Sequence, residues 1–250
     1  MDLAPKGTKR LTYSLPVDVD RTLSPDDAMY EGHAEHYFST GESALRVILA
    51  AISLAQAPVP QRILDFGAGA GRVTRWLKAA FPDAQIHGCD VREGDMAFLR
   101  STFGVKAWTV GFDFNDLTIA DRYDLIWVGS IITHLPKPAT RRLIRKLVCS
   151  LNPGGLLAVS FHGRYVIDRR ESGTPEARYI HDKGWRKIKS RYRACGYGYA
   201  DYPNQSGYGI SVTSAPWMTK FGESLGCRLI LLSERIWDNH HDVIVLQQPG

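Results

Sequence analysis

The most constraining feature of this sequence is a short apolar stretch that runs directly into a glycine-rich loop. Residues 63–66, Ile-Leu-Asp-Phe, have the composition of a buried strand, and Gly67, Gly69 and Gly71 follow at every second position. Because glycine lacks a Cβ, its backbone can turn sharply and a ligand can lie against it. In open α/β sheets, ligands bind beyond the carboxyl ends of the strands. The pattern predicts an α/β fold with a ligand site at this loop; a tight turn without a ligand is the alternative.

Strand and helix patterns alternate along the rest of the chain. Further strands are predicted at residues 85–89, 105–110, 123–128, 156–161, 228–232 and 243–246. Helices are predicted at residues 73–80, 93–103, 138–151 and 216–225. Alternating elements favour a parallel sheet built from right-handed βαβ crossovers. The sequence therefore predicts an α/β, doubly wound, Rossmann-like, mostly parallel seven-stranded sheet with a C-terminal antiparallel hairpin.

The 250 residues are predicted to form a single domain. Its segments are an N-terminal arm and helix (1–61), a ligand-binding core (62–162), an inserted lid (163–207) and the C-terminal strands of the sheet (208–250). Glu42 follows Ser39 by three positions, which is the spacing of a capping box, so the first helix is predicted to begin there.

The composition and the N-terminal residues indicate the cellular compartment of the protein and the charge of its partners. The four cysteines lie far apart without the spacing of a metal site, which favours a reduced, cytoplasmic setting. Residues 1–14 are basic but lack the apolar core of a signal peptide. No apolar run approaches the roughly 18 residues of a membrane helix. The formal net charge of +5 permits an anionic partner without requiring one.

An acidic residue follows the second predicted strand. The loop has the spacing G-x-G-x-G, with Arg72 where a dinucleotide-binding loop would have its third glycine. This argues against a pyrophosphate ligand. Asp90 is nevertheless placed where a carboxylate can accept hydrogen bonds from a ribose diol. An exposed strand-end carboxylate is the alternative.

These segments resemble the class I S-adenosylmethionine (SAM)-dependent methyltransferases. Residues 63–91 are similar to the family's first motif and the acidic strand end that follows it. Residues 124–130 with His134-Leu135-Pro136 resemble its fourth strand and loop, and residues 151–155 resemble the turn before its fifth strand. The resemblance covers about residues 62–161, with a looser match from 207 to 246.

The resemblance implies SAM as the cofactor and assigns residues to it. Gly67, Gly69 and Gly71 would line the methionine moiety, and Asp65 would lie near its amino group. Asp90 would hold the ribose hydroxyls, with Val91 beside it. The remaining residues implied at the cofactor are Asp113 and Phe114, at the adenine, and Ser130.

Two histidines are candidates for a general base, because histidine is the usual proton acceptor near neutral pH. His134 follows the fourth strand on the side expected for the acceptor, and His162 ends the fifth strand. A packing or capping role is the alternative for His134. No metal site is predicted at residues 239–242, Asn-His-His-Asp, because adjacent side chains on a strand point to opposite faces.

The predicted lid is basic and aromatic. Its cations are Lys183, Arg186, Lys187, Lys189, Arg191 and Arg193. A solvated amphipathic helix is the favoured interpretation, and a clamp for an anionic acceptor is the alternative. Tyrosines spaced by glycines predict a flexible aromatic wall over a pocket: Tyr197, Tyr199, Tyr202 and Tyr208.

The function predicted from these features is SAM-dependent methyl transfer to a small hydroxylated acceptor, such as a sugar, most simply at oxygen. The alternatives are an RNA methyltransferase that uses the basic lid and a SAM-binding scaffold without activity. Nucleic acid is the less favoured partner. Enzymes that methylate amino groups of nucleic acids usually carry an Asn/Asp-Pro-Pro-aromatic motif after the fourth strand, where this chain has residues 129–132, Gly-Ser-Ile-Ile.

Overall fold

The computed structural model describes residues 15–16, 18–173 and 181–250. The strands are β1 Arg62–Phe66, β2 Gln85–Asp90, β3 Lys106–Thr109, β4 Tyr123–Val128, β5 Leu151–Phe161, β6 Tyr197–Tyr202, β7 Gln205–Thr213, β8 Arg228–Trp237 and β9 His241–Gln247. Within the described residues, seven of them form one sheet in the order β3-β2-β1-β4-β5-β9-β8. β1 to β5 pair in parallel, and β9 is antiparallel to both β5 and β8. The predicted fold class is confirmed.

Helices cover both faces of this sheet. They are α1 Ala34–Ala55, α2 Thr74–Ala80, α3 Glu93–Phe103, α4 Lys137–Cys149, α5 Arg164–Glu171, α6 Asp182–Cys195 and α7 Ala215–Ser224, with a 3₁₀ turn at Ile132–His134. Neighbouring residues of a strand point to opposite faces. Accordingly, Ile63 of β1 packs in a core with α1, α2 and α3, whereas Leu64 packs in a second core with α4 and α7. The strand order switches between β1 and β4, because β2 and β3 lie on one side of β1 whereas β4 and β5 lie on the other. Doubly wound folds bind ligands at this position.

The predicted start of the first helix was wrong. α1 begins at Ala34, so Ser39 and Glu42 lie inside the helix and form no capping box. The Ser39 hydroxyl donates to the His36 carbonyl at 3.0 Å, and Glu42 accepts from Arg46 at 2.9 Å. The helix extends further because Tyr37 and Phe38 before the predicted cap are buried in the core. α1 also has the length and apolar composition of a membrane span, but 61% of its most apolar 18-residue window is buried inside the protein.

The predicted lid is more ordered than the sequence suggested. It contains α5, α6 and the antiparallel hairpin β6–β7, which forms its own two-stranded sheet. This hairpin continues to Thr213, so it crosses the predicted lid boundary at residue 207. Gly198 allows close packing of the hairpin on α6, because a Cβ there would collide with the Ile188 carbonyl. Tyr197 is correspondingly buried and donates to the Leu135 carbonyl at 2.8 Å.

The basic helix of the lid is amphipathic. Trp185 and Ile188 of α6 are buried, while most of its cationic side chains face outward. Lys189 pairs with Glu171 at 2.6 Å. Residues 174–180 of the predicted lid, like residues 1–14 of the predicted arm, lie outside the described residues.

Candidate active site

A cavity of about 310 Å³ opens at the carboxyl edge of the sheet, around the ends of β1 and β4. The glycine loop forms one wall. The amides of Gly67 and Ala68 both donate to the Cys89 carbonyl, at 2.8 and 3.1 Å, and this fixes the loop against β2. Gly67 has a φ of +82°, and a Cβ there would collide with Ile131. Nothing lies within 4 Å of a Cβ built on Gly69, so this part of the loop faces open space.

Asp90 lies across from the glycine loop. Its Oδ2 accepts from the Gly69 amide at 2.9 Å, and its Oδ1 accepts from the Val91 amide at 2.7 Å. Asp90 and Val91 both line the cavity. The carboxylate therefore fixes the loop, and each oxygen retains capacity for a further hydrogen bond, because a carboxylate has about four acceptor sites. We call the part of the cavity formed by Gly67, Gly69 and Asp90 the loop end.

Asp65 lies beneath the loop end and is 1% exposed. The Thr74 hydroxyl donates to its Oδ2 at 2.7 Å. Burial raises the pKa of Asp65 to about 7, and the nearby Asp90 charge adds to this rise. A buried carboxyl group with a pKa near 7 is partly protonated at neutral pH, and a cation that binds next to it favours the ionised form.

Aromatic side chains close the far side of the loop end. Phe114 is buried, packs at 6.1 Å from the ring of Phe66 and lines the cavity. Phe112 also lines it and is 67% exposed. Asp113 does not line the cavity as the resemblance implied. Its carboxylate turns outward, where it accepts from the Asn115 side chain at 2.7 Å.

Gly71 also lies away from the cavity lining, contrary to its implied role. Its φ is +88°, and a Cβ there would collide with the side chains of Leu99 and Phe103. Gly71 therefore lets the chain turn and start α2 while packing closely on α3. Only Gly67 and Gly69 of the three glycines border the cavity.

Several cavity residues were missed from the sequence. Arg72 lines the cavity with its guanidinium 6.0 Å from the ring of Trp237, which lines it too. Asp27 and Met29, from the N-terminal segment, also line the cavity. This segment is held in place partly by Arg92, whose guanidinium donates to the Asp26 carbonyl at 2.8 Å. Arg72 directly follows the glycine loop and could have been found; the others are brought in by tertiary packing.

The opposite part of the cavity is formed by Ser130, His134 and Tyr208. We call this part the hairpin end. Ser130 has a φ of +58°, a conformation that is strained for a residue other than glycine. Its amide donates to the Ser160 hydroxyl at 2.7 Å, and its own hydroxyl lies 3.4 Å from Nε2 of His241. These contacts hold the backbone after β4 in place.

His134 lies at the end of the 3₁₀ turn and is covered by the lid hairpin. The ring of Tyr208 stacks on it at 5.1 Å and 27°. Its Nδ1 lies 3.0 Å from the Gly209 carbonyl oxygen and 3.1 Å from the Tyr202 hydroxyl. A carbonyl can only accept, so Nδ1 carries the hydrogen and Nε2 keeps its lone pair. Burial lowers the pKa of His134, so the ring is neutral near pH 7.

His162, the second predicted base, does not line the cavity. It directly follows β5, and its Nδ1 lies 3.2 Å from the Ser211 carbonyl oxygen. Burial and the neighbouring His240 lower the pKa of His162 to about 3. The structure therefore brings His134, and not His162, together with the loop end in one cavity.

Residues 63–155 match a methyltransferase domain. This part of the chain therefore carries a methyltransferase domain. A solved SAM-dependent methyltransferase from Clostridium acetobutylicum shares this methyltransferase fold with a TM-score of 0.58 at 12% identity, over 84% of this chain and 92% of that one.

Two curated relatives are more similar in sequence. The chain is 36% identical over 133 residues to a trans-aconitate 2-methyltransferase of Methylobacterium nodulans, which covers 50% of each chain. It is 33% identical over 176 residues to a malonyl-[acyl-carrier protein] O-methyltransferase of Methylococcus capsulatus, which covers 67% of this chain and 61% of that protein. The chain thus spans between half and two thirds of the length of these relatives.

The cavity suits SAM, the cofactor that the sequence resemblance implies. The loop backbone at Gly69 leaves room for a ligand chain, and Asp90 offers acceptors for a diol. Phe112 and Phe114 offer aromatic surface for a flat ring. The guanidinium of Arg72 suits a carboxylate.

Proposed function

We propose that this methyltransferase transfers a methyl group from SAM to an oxygen of a small acceptor. The observation that carries the proposal is the shared cavity, which is lined both by the glycine loop with Asp90 and by His134. The sulfonium of bound SAM supplies an already activated methyl group. The protein then has to position the acceptor in line and, for a hydroxyl group, remove its proton.

In this proposal the loop end binds the cofactor. Asp90 accepts hydrogen bonds from the ribose hydroxyls, and Phe114 packs against the adenine. Asp65 ionises to pair with the methionine amino group, while Arg72 pairs with its carboxylate. The position of each group in the cavity supports this assignment, and the high pKa of Asp65 fits a carboxyl group that gains a cationic partner on binding.

His134 acts as the general base in this proposal. Its Nδ1–H is fixed by the Gly209 carbonyl, so Nε2 is the nitrogen that can take a proton. Its lowered pKa keeps Nε2 unprotonated at neutral pH. Stacking of Tyr208 on the ring restricts its rotation, which is what a base needs to stay aligned with a bound hydroxyl.

A carboxylate is a second candidate acceptor. The two curated relatives are named for trans-aconitate and malonyl-[acyl-carrier protein], which are both acids. Arg72 and Arg92 line the cavity and could pair with an acceptor carboxylate as well as with the cofactor. A carboxylate is already deprotonated near pH 7, so its methylation would not need His134 as a base.

The test is a mass-spectrometric screen with SAM and a panel of sugars, hydroxy acids, di- and tricarboxylates, acyl thioesters, amines and RNA. Products that gain one methyl group at oxygen are the expected result. Methylation confined to amines or RNA would contradict the proposal. SAM binding without transfer to any acceptor would favour the scaffold alternative.

A further inference from the structure

Three histidines gather behind the hairpin end of the cavity. They are His162 directly after β5, His240 in the turn after β8, and His241 at the start of β9. One ring nitrogen from each lies within 4.8 Å of the other two. The rings of His162 and His241 stack at 5.1 Å, and His240 contacts both edge-on at 5.4 and 4.8 Å. The proposed methyl transfer uses none of the three.

The sequence argument against a metal at this position fails for a local reason. It assumed that His240 and His241 are consecutive residues of a strand. Instead β9 begins at His241, and the preceding turn contains Asp238 and Asn239 with φ angles of +53° and +51°. This turn brings the two neighbouring rings together on one side.

The hydrogen bond of His162 orients it as a metal ligand. The Ser211 carbonyl can only accept, so Nδ1 of His162 carries the hydrogen and Nε2 keeps its lone pair. A backbone carbonyl on one imidazole nitrogen commonly fixes the other nitrogen as the ligand atom. His162 is also 9% exposed, so its orientation is held by packing.

His241 has a nitrogen whose hydrogen-bonding capacity is unused. Its Nε2 lies 3.4 Å from the Ser130 hydroxyl. Its Nδ1 is buried and has no hydrogen-bond partner among the residues that the structure describes. Leaving a buried polar atom unpartnered costs free energy, on the order of 1–3 kcal/mol, and a bound water or ion is one way in which native sites satisfy such an atom.

We propose that His162, His240 and His241 bind one divalent transition-metal ion of the Zn²⁺ type. Three imidazoles suit Zn²⁺, Co²⁺ or Ni²⁺ and not Mg²⁺ or Ca²⁺, which prefer oxygen ligands. Zinc–nitrogen bonds of about 2.1 Å place tetrahedral ligand atoms about 3.4 Å apart. The observed separations therefore require ring movements on the order of 1 Å. Three protein ligands leave a fourth position for water or another oxygen ligand.

Charged groups around the cluster are of both signs. Arg169 and Arg235 lie over the ring of Tyr165, at 5.6 and 4.1 Å, and Tyr165 contacts His240. The Asp242 carboxylate packs against the backbone next to His162, where a Cβ on Gly163 would collide with it. This carboxylate offsets part of the cationic charge near the bound ion.

The test measures metal binding alone, without cofactor or acceptor, so its result is independent of the proposed methyl transfer. Protein freed of metal with a chelator is titrated with Co²⁺ and followed by its visible absorption, and then with Zn²⁺ by calorimetry. We expect one ion per chain, intense Co²⁺ bands typical of four-coordination, and displacement of Co²⁺ by Zn²⁺. Zn²⁺ should also raise the melting temperature, because it binds only the folded cluster.

His240→Ala is the decisive variant because His240 is only half-buried and the fold should tolerate its loss. We expect its Zn²⁺ affinity to fall by more than the roughly 10- to 100-fold that loss of an outer-shell partner costs. His36→Ala is the matched control, since it removes an exposed histidine next to Asp238 and leaves the cluster intact. His241→Gln gives a second, independent loss of a ligand. Absence of stoichiometric binding in the wild type, or equal binding in His240→Ala, would overturn the proposal.

Discussion

The loop end and the hairpin end of the cavity are built from different kinds of contact. At the loop end, Gly69 and Asp90 meet through two neighbouring parallel strands, β1 and β2. At the hairpin end, His134 is positioned by Gly209 and Tyr208, which belong to a hairpin far along the chain. The first geometry is a property of the sheet, whereas the second depends on how a segment far along the chain packs against it. We therefore expect substitutions at the loop end to change cofactor binding and those at the hairpin end to change turnover.

The largest effect is expected for His134→Ala. General-base assistance is typically worth 10²–10⁴-fold, so turnover of a hydroxyl acceptor should fall by about that factor at saturating SAM. The affinity for SAM should stay unchanged because the loop end is intact. Wild-type kcat/KM should rise with pH through an apparent pKa below 6.5, since burial lowers the pKa of His134 and only the neutral ring accepts a proton.

His36→Ala, at an exposed position of α1, is the control for His134→Ala and should be fully active. If His162→Ala abolished turnover and His134→Ala did not, the base would lie on β5. If His134→Ala had little effect with an acid as acceptor, methylation of a carboxylate would be the better explanation.

Asp90→Ala should separate the two ends most clearly. Each hydrogen bond to a charged group is worth about 1.5–3 kcal/mol, so SAM affinity should fall roughly 10- to 150-fold for each bond lost. Asp83→Ala, before the opposite end of β2, is a matched control that should bind SAM normally. Calorimetric titration measures both. Unchanged affinity in folded Asp90→Ala would place the ribose contact elsewhere.

Asp65→Asn should change stability and cofactor affinity in opposite directions. The pKa of Asp65 rises from 3.8 to about 7 on folding. Between these two pH values the folded state therefore binds more protons than the unfolded state. As pH rises through this range, the contribution of this carboxyl group makes the free energy of unfolding fall. The variant should gain stability over the wild type across the same range and bind SAM more weakly. Urea unfolding at several pH values and SAM titration measure both effects; a pH-independent difference in stability would contradict the raised pKa.

The smallest effect is expected for the triple replacement of Lys187, Lys189 and Arg191 by Ala. Exposed ion pairs contribute little, so loss of the Lys189–Glu171 pair should leave the free energy of unfolding nearly unchanged. SAM affinity should not change. A large, salt-dependent loss of acceptor affinity would instead assign the basic helix to an anionic substrate.

The same difference between the two ends explains how much could be predicted from the sequence. α3 and β4 were predicted with their observed bounds, Glu93–Phe103 and Tyr123–Val128, because local periodicity and turn residues define them. Gly67, Gly69 and Asp90 were placed at the cavity because strand ends of a parallel sheet converge. The stacking of Tyr208 on His134 and the position of Asp27 at the cavity depend on long-range packing. The sequence has no periodic signal for such contacts.

Two predicted residues show how local reasoning fails inside a correct motif. Gly71 belongs to the glycine pattern, but its lack of a side chain serves packing against Phe103 rather than ligand approach. Asp113 follows the third strand as the resemblance implied, but its backbone turns the carboxylate towards Asn115. In both cases the residue type is compatible with the predicted role, but the three-dimensional path of the chain places the residue outside the cavity lining.

The packing around Gly129 has a consequence for how this site could change during evolution. A Cβ at this position would lie 2.8 Å from the indole nitrogen of Trp127 and 3.0 Å from the ring of Trp237. These two indoles meet edge-to-face at 5.2 Å and are both buried. The first residue of an Asn/Asp-Pro-Pro-aromatic motif would stand at Gly129, so the indoles of Trp127, two residues before it, and of Trp237 would have to shift or be replaced for that motif to enter. Acquisition of that motif would therefore require changes outside the motif itself, at the two packed indoles.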